Sequence, residues 1–274
     1  MKLGINQATM MKTPMEDFLR AIAKAGFQGV ELRRDETFEY LKNHSIADLK
    51  KILDETGLDV VSWNAIELFS LCTEGEFLDM YEYSERLMKI GKKIGCDFII
   101  AVPSFKKDAV VPEEKYFELT VERFKILRQL AKKHDFTMGF EPLGFEDCSV
   151  RMMDFALKII EETEKDGLKK SPLVIDTFHY FLAGHSVDAL KKIDASRLGL
   201  VHFNDSTDKD FGELRDGDRI WPGSGIFKLK AFMETLKEIK YQGYISIELF
   251  NKDYWKLTPE ECAEKAYESL KNYM

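Results

Sequence analysis

Short runs of apolar residues recur along the chain, separated by longer segments whose hydrophobic positions have helical spacing. Eight such runs, rich in Val, Ile and Phe, begin near residues 4, 26, 57, 95, 135, 171, 197 and 243. Runs of this kind are typical of strands buried on both faces. The intervening segments include residues 15–26, 77–95 and 113–134, which are amphipathic at the period of a helix. The pattern therefore predicts eight strands alternating with helices.

Glycines mark the ends of the predicted helices. Gly26, Gly57 and Gly95 each lie just past a periodic segment, where a left-handed C-cap suits glycine. Eight strand–helix units in 274 residues match a (β/α)8 TIM barrel, for which about 250 residues are typical. A doubly wound open sheet is the alternative, but no Gly-x-Gly-x-x-Gly segment follows the first run. We therefore predict an α/β TIM barrel in one domain over residues 1–274, since no linker divides the chain.

The composition excludes several classes of protein. With 40 Lys and Arg against 48 Asp and Glu, the net charge is −8, which argues against a nucleic-acid partner. No apolar stretch approaches the roughly 20 residues that span a bilayer, and the first residues are too polar for a signal peptide. The four cysteines contain no C-x-x-C pair, so neither a disulfide framework nor a cysteine zinc site is indicated. We expect a cytoplasmic protein that does not bind membranes.

Four consecutive predicted strands end in a residue that could bind a metal ion: Glu141, Asp176, His202 and Glu248. In a TIM barrel the carboxyl ends of the strands form one rim, where reactive residues gather. Each residue alone is more often a helix-cap acceptor or an ion-pair partner. Together, because buried carboxylates need compensation, they favour one divalent ion. Three carboxylates and one imidazole suit Mn²⁺, Co²⁺, Zn²⁺ or Mg²⁺, and ligand type does not choose among these.

Two further residues near the strand ends are candidates for binding a substrate. His179 follows the sixth strand and could bind the metal, a backbone carbonyl or, as we favour, the substrate. Arg219 precedes a tight turn at residues 221–225, which is rigid because Pro fixes φ and Gly allows positive φ. Its guanidinium could hold a substrate hydroxyl or stabilise negative charge. The alternative is an ion pair with Asp216 or Asp218.

Residues at the remaining strand ends could complete a pocket. The polar candidates are Asn6, Glu31, Arg33 and Asn64, and Trp221 could form an apolar wall. For Glu31, a buried structural hydrogen bond inside the barrel is an equally good interpretation.

The motifs at the strand ends resemble those of the xylose-isomerase-like superfamily of sugar isomerases, epimerases and apurinic endonucleases. The resemblance is carried by GFQGVEL (26–32), the Glu141 strand end, DTFH (176–179), HFND (202–205) and IEL (247–249). Within that superfamily the chain resembles the inosose isomerases of inositol catabolism over nearly its whole length. DRIWPGSG (218–225) and ELFNKDYWKLTPEE (248–261) are the more specific stretches. The resemblance supports the TIM barrel and implies an enzyme of carbohydrate metabolism.

The resemblance also implies roles for the candidate residues. Glu141, Asp176, His202 and Glu248 would bind the divalent metal, and His179 and Arg219 would contact substrate oxygens. The implied reaction is a proton transfer next to the carbonyl of a ketose or inosose, through a cis-enediolate, with Glu141 and Glu248 as the acid/base pair.

Several alternatives stay open at this point. A ketose 3-epimerase or an inosose dehydratase would use the same metal site, and a metal- or sugar-binding barrel without turnover is the non-enzymatic alternative. In the related epimerases a further Glu follows the first ligand. Here Glu146 and Asp147 stand at an ambiguous offset, and their roles are not assigned. The resemblance also suggests a homo-oligomer, although nothing in the sequence indicates an interface.

Overall fold

The computed structural model describes residues 1–165, 167–168 and 170–274, and its centre is a closed barrel. The described strands are β1 (Lys2–Asn6), β2 (Gly29–Arg33), β3 (Asp59–Glu67), β4 (Phe98–Val102), β5 (Thr137–Phe140), β6 (Leu173–Asp176), β7 (Leu198–His202), β8 (Asp205–Ser206), β9 (Arg219–Ile220) and β10 (Tyr244–Ile247). The barrel order is β1–β10–β7–β6–β5–β4–β3–β2, all parallel, and β1 pairs with β2 to close it. The short strands β8 and β9 pair antiparallel outside the barrel. The predicted TIM barrel is confirmed.

Helices connect the strands and surround them. They are α1 (Met15–Ala25), α2 (Arg34–Tyr40), α3 (Ile46–Thr56), α4 (Glu74–Ile94), α5 (Tyr116–Lys133), α6 (Met153–Glu164), α7 (Thr177–Leu182), α8 (Val187–Leu190), α9 (Leu229–Glu238) and α10 (Pro259–Lys271). Successive helices contact one another around the barrel, from α10 through α1, α3, α4 and α5 to α6. None of the helices in the described part of the chain has the length and apolar character needed to cross a bilayer.

Local signals explain where these helices begin and end. Gly26, Gly57 and Gly95 have φ angles of 111°, 69° and 86°, so the predicted left-handed C-caps are confirmed. Helix α4 begins three residues before its predicted start because Thr73 caps it. The Thr73 hydroxyl accepts from the Glu76 backbone N–H, and the Glu76 carboxylate accepts from the Thr73 N–H.

The hydrophobic core lies in two regions. The larger one fills the space between the strands and the helices and includes Trp63, which is fully buried. The smaller one includes the strand residues Ile100, Val174 and Leu200. The four cysteines are buried and free, as expected for a chain without a disulfide framework.

The close approach of α4 to β3 gives a test of the packing. A Cβ atom on Gly91 would lie 2.6 Å from Phe136 and 2.7 Å from the Trp63 indole nitrogen. We expect Gly91→Ala to lower the free energy of unfolding by about 1–3 kcal/mol, because overpacking outweighs the better helix propensity. Gly75→Ala in the first turn of α4 is the control. Its Cβ would meet nothing within 4 Å, so it should be neutral or stabilising by up to about 1 kcal/mol. Urea unfolding compares the two, and equal effects would contradict the packing argument.

Candidate metal centre and active site

Four neighbouring strands bring their carboxyl-terminal side chains into one buried cluster. Glu141 directly follows β5, Asp176 ends β6, His202 ends β7 and Glu248 directly follows β10. Each offers a ligand atom, and these atoms all lie within 4.8 Å of one another. All four residues are buried. The structure thus brings together the four side chains that the sequence indicated as a metal site.

The imidazole of His202 lies between this cluster and a further carboxylate. Its Nδ1 is 2.8 Å from Glu141 Oε1 and 3.4 Å from Glu248 Oε2. Its Nε2 is 3.1 Å from Glu31 Oε2. Burial alone would lower the pKa of His202, but the carboxylates of Glu248, Glu31 and Glu141 outweigh it and hold that pKa well above its ordinary value. One ring nitrogen therefore faces the cluster while the other is bound by Glu31.

Glu31 supports His202 and does not lie on the wall of a cavity. It is completely buried and accepts hydrogen bonds from Ser62 Oγ at 2.7 Å and from Ser246 Oγ. Burial opposes ionisation, but His202 and the two hydroxyls outweigh it and lower the Glu31 pKa. The predicted substrate contact is therefore replaced by the alternative, a buried hydrogen-bond network inside the barrel.

A buried guanidinium compensates the cluster from the other side. Arg219 Nη1 donates to Asp176 Oδ2 and to Glu248 Oε2, each at 2.7 Å. Its Nη2 donates to Asp216 Oδ1 at 2.7 Å and to His179 Nε2 at 2.9 Å. Burial opposes the charge, but the carboxylates, Asp176 first, raise the Arg219 pKa. The ion pair with Asp216 is confirmed, while contact of Arg219 with a substrate stays a prediction.

The contact with Arg219 determines the tautomer of His179. A guanidinium can only donate, so Nε2 of His179 accepts and the ring proton lies on Nδ1. Burial and then the Arg219 charge lower the His179 pKa, which keeps the ring neutral. Nδ1 is buried and has no hydrogen-bond partner among the described residues.

Two asparagines fix the position of Glu248. Asn6 Nδ2 and Asn64 Nδ2 donate to Glu248 Oε1 at 2.9 and 3.0 Å. Burial raises the pKa of Glu248 to about 8, against the opposing effects of His202 and Arg219. A third asparagine, Asn204, donates to Asp176 Oδ2 at 3.0 Å. The amides thus hold the carboxylates in place from the barrel side.

A cavity of about 270 Å³ opens over the cluster; we call it the first cavity. It is lined by Arg33, Asn64, Glu67, Leu68, Val102, Phe105, Glu141, Leu143, His179, Asp216, Arg219, Glu248 and Phe250. Six of the residues predicted for the site are therefore on its wall: Arg33, Asn64, Glu141, His179, Arg219 and Glu248.

Asn6 and Trp221 do not line the first cavity. Asn6 is fully buried behind Glu248, and Trp221 stacks on Tyr254 with ring centroids 4.1 Å apart. Both were predicted on the wall of the pocket. The strand-end position of Asn6 does not reveal its depth, and the turn that carries Trp221 does not reveal its stacking on Tyr254.

The cavity also has wall residues that were not predicted from the sequence, among them Phe105 and Phe250. Phe250 stands two residues after Glu248, so its spacing was an available signal. No comparable signal marks Phe105.

The segment that carries Arg219 is fixed to the end of β7 by one carboxylate. Asp205 Oδ2 accepts from the backbone N–H groups of Gly223 and Gly225, both at 3.0 Å, and Oδ1 accepts from that of Phe227 at 2.9 Å. Gly223 has a φ of 87°, as the predicted tight turn requires. Pairing of β8 with β9 ties Arg219 to the same place.

Residues 19–273 match the xylose isomerase-like TIM barrel family, and the chain belongs to this family. The inosose isomerase of Bacillus velezensis is 30% identical over 271 residues, which cover 98% of this chain and 95% of that relative. The inosose isomerase of Bacillus subtilis is also 30% identical, over 97% of this chain and 95% of its own length. A 1.8 Å crystal structure of the IOLI protein with a bound zinc atom has a TM-score of 0.92 at 29% identity, covering 100% of this chain and 98% of that one. The family resemblance seen in the motifs is confirmed.

The contacts of Asp205 predict a stability effect. In Asp205→Asn, the side-chain amide can no longer accept from all of the turn's N–H groups. We expect the variant to lower the free energy of unfolding by about 1–3 kcal/mol, because backbone N–H groups lose the buried carboxylate that accepts from them. Asp208→Asn makes the same chemical change at an exposed position nearby and should have little effect. Chemical denaturation measures both, and equal stabilities would show that the turn does not depend on Asp205.

Proposed function

We propose that the protein is a divalent-metal-dependent isomerase of inososes, the ketones of inositol. The observation that carries the proposal is the buried group Glu141, Asp176, His202 and Glu248 next to a cavity. The 30% identity to inosose isomerases over nearly the full length supports the choice of substrate.

The charges of the site fit a bound divalent cation. Glu31, Glu141, Asp176 and Glu248 are four buried carboxylates, and Arg219 supplies one positive charge among them. With His202 neutral, an ion of charge +2 would offset two of the three negative charges that Arg219 leaves. The set of oxygen donors with one imidazole suits Zn²⁺, Mn²⁺, Co²⁺ or Mg²⁺. The residues that would hold the ion are Glu141, Asp176, His202 and Glu248.

When bound, the ion would polarise the substrate carbonyl and favour negative charge on its oxygen. Isomerisation needs a base that removes the proton from the carbon next to the carbonyl and an acid that returns a proton to the former carbonyl carbon, while the hydroxyl proton passes to the former carbonyl oxygen. Glu141 and Glu248 both reach the cavity wall, from strands that β6 and β7 separate. We assign them this acid/base role. Asn6, Asn64 and Arg219 hold Glu248, which limits its movement relative to a bound ring.

The remaining wall residues would bind the polyol. His179, which lies on this wall, would contact a substrate hydroxyl or carbonyl oxygen. Asn64 and Arg33 add polar atoms, while Phe105 and Phe250 supply apolar surface for the C–H faces of a ring. A cavity of about 270 Å³ suits one six-membered ring.

Proton exchange tests the proposed reaction. With scyllo-inosose in D₂O, the metal-loaded protein should place deuterium on the carbon next to the carbonyl, and a chelator should stop it. Glu248→Gln should slow this exchange by at least about 10²-fold, because Gln cannot transfer the proton. Glu85→Gln, on α4, should have no effect. ¹H NMR follows the exchange and identifies the product, which separates isomerisation from epimerisation or dehydration. No exchange with any of the four metals would reject the proposal.

Metal affinity tests the support that Glu31 gives to His202. Glu31→Gln keeps the shape but removes the charge that orients the imidazole, and we expect it to weaken Zn²⁺ binding about 10- to 100-fold. Glu85→Gln again serves as the control, since Glu85 pairs with Lys89 and His134 at the surface. Competition with a chromophoric chelator measures the affinity without any turnover. An unchanged affinity in a folded Glu31→Gln variant would refute the supporting role.

A further inference from the structure

A second cavity, of about 390 Å³, adjoins the first. Phe105 and Asp216 line both. Its other walls come from residues 144–147 after β5 and from residues 211–216 between β8 and β9. One six-membered ring over the metal cluster would leave this second cavity unfilled.

The lining of the second cavity combines aromatic rings with balanced charge. Phe105, Phe145 and Phe211 contribute rings, and Phe211 is 45% exposed, which is unusual for a side chain of its size. Three basic side chains are matched by three acidic ones: Lys107, Arg151 and Arg215 against Glu146, Asp147 and Asp216. Such balance argues against an anion as ligand. Apolar ring faces beside both donors and acceptors suit a hydroxylated ring.

Two of the three acidic residues in the second cavity are those to which the sequence assigned no role. Glu146 and Asp147 are exposed and line the second cavity rather than joining the metal cluster. They are therefore available to accept hydrogen bonds from hydroxyl groups of a ligand.

The two cavities also meet through an aromatic contact. The Phe145 ring packs edge-on against the His179 ring, with centroids 5.0 Å apart. His179 lies on the wall of the first cavity, so a ligand in the second cavity would lie next to the group that binds the reacting ring.

We propose that the second cavity is a subsite for a sugar ring attached to the ring that carries the ketone. The substrate class then includes glycosylated cyclitols and keto-glycosides. This inference rests on the proposed function for the place of the reacting ring, and its test does not depend on turnover.

Binding of two unreactive polyols tests the subsite. Myo-inositol and galactinol, which is myo-inositol carrying one galactose, differ by one sugar ring, and neither has a ketone. Calorimetric titration of the metal-loaded protein should show galactinol binding about tenfold more tightly, as expected for one added ring–aromatic contact.

Variants in the second cavity locate the added affinity. Phe211→Ala should bring the affinity for galactinol down to that for myo-inositol and leave myo-inositol binding unchanged. Glu146→Gln, which removes a charged acceptor, should lower galactinol affinity several-fold. Leu78→Ala, another exposed apolar side chain, lies on α4 outside both cavities and should change neither affinity.

Three results would overturn the subsite: equal affinities for the two polyols, no binding of galactinol, or an equal loss for both polyols in Phe211→Ala. The inosose exchange experiment remains separate. Exchange without preference for galactinol rejects only the subsite, while preference for galactinol without exchange rejects only the isomerase.

Discussion

The arrangement of side chains at the carboxyl ends of the barrel strands depends on how buried negative charge is compensated. Glu31, Glu141, Asp176 and Glu248 are all removed from water, and an isolated carboxylate in such a place costs several kcal/mol. The positively charged Arg219 guanidinium and the His202 imidazole lie between these carboxylates. Asparagine amides and serine hydroxyls supply the remaining hydrogen bonds. The polar residues of several strands therefore act as one unit, and the proposed ion would complete it.

The clustering of the four candidate ligands could be predicted because the constraint that gathers them is global. Once eight parallel strands are recognised, closure requires their carboxyl ends to share a rim. Glu141, Asp176, His202 and Glu248 then follow from their position at the ends of four successive strands. Depth within the barrel could not be predicted in the same way. Asn6 and Glu31 also lie toward the ends of strands, yet hydrogen bonds to Glu248 and His202 keep them behind the site.

The cavity walls were harder to predict, since they come largely from connecting segments without a repeating pattern. Phe105, Phe211 and Asp216 stand in such segments, and only the folded chain brings them beside strand residues. Arg219 was predicted because the turn that follows it has a distinctive sequence. Trp221 of the same turn was misplaced, because its stacking on Tyr254 depends on a segment after β10.

The contacts of Asp205 fix the ends of the segment between β8 and β9 but not its middle. Its carboxylate accepts hydrogen bonds from Gly223, Gly225 and Phe227. Together with the β8–β9 pairing, these bonds hold both ends of that segment. Residues 208–214 of that segment make none of these anchoring contacts, whereas Asp216 pairs with Arg219 directly. A changed side chain there would alter the wall of the second cavity without moving the guanidinium that pairs with Asp176 and Glu248.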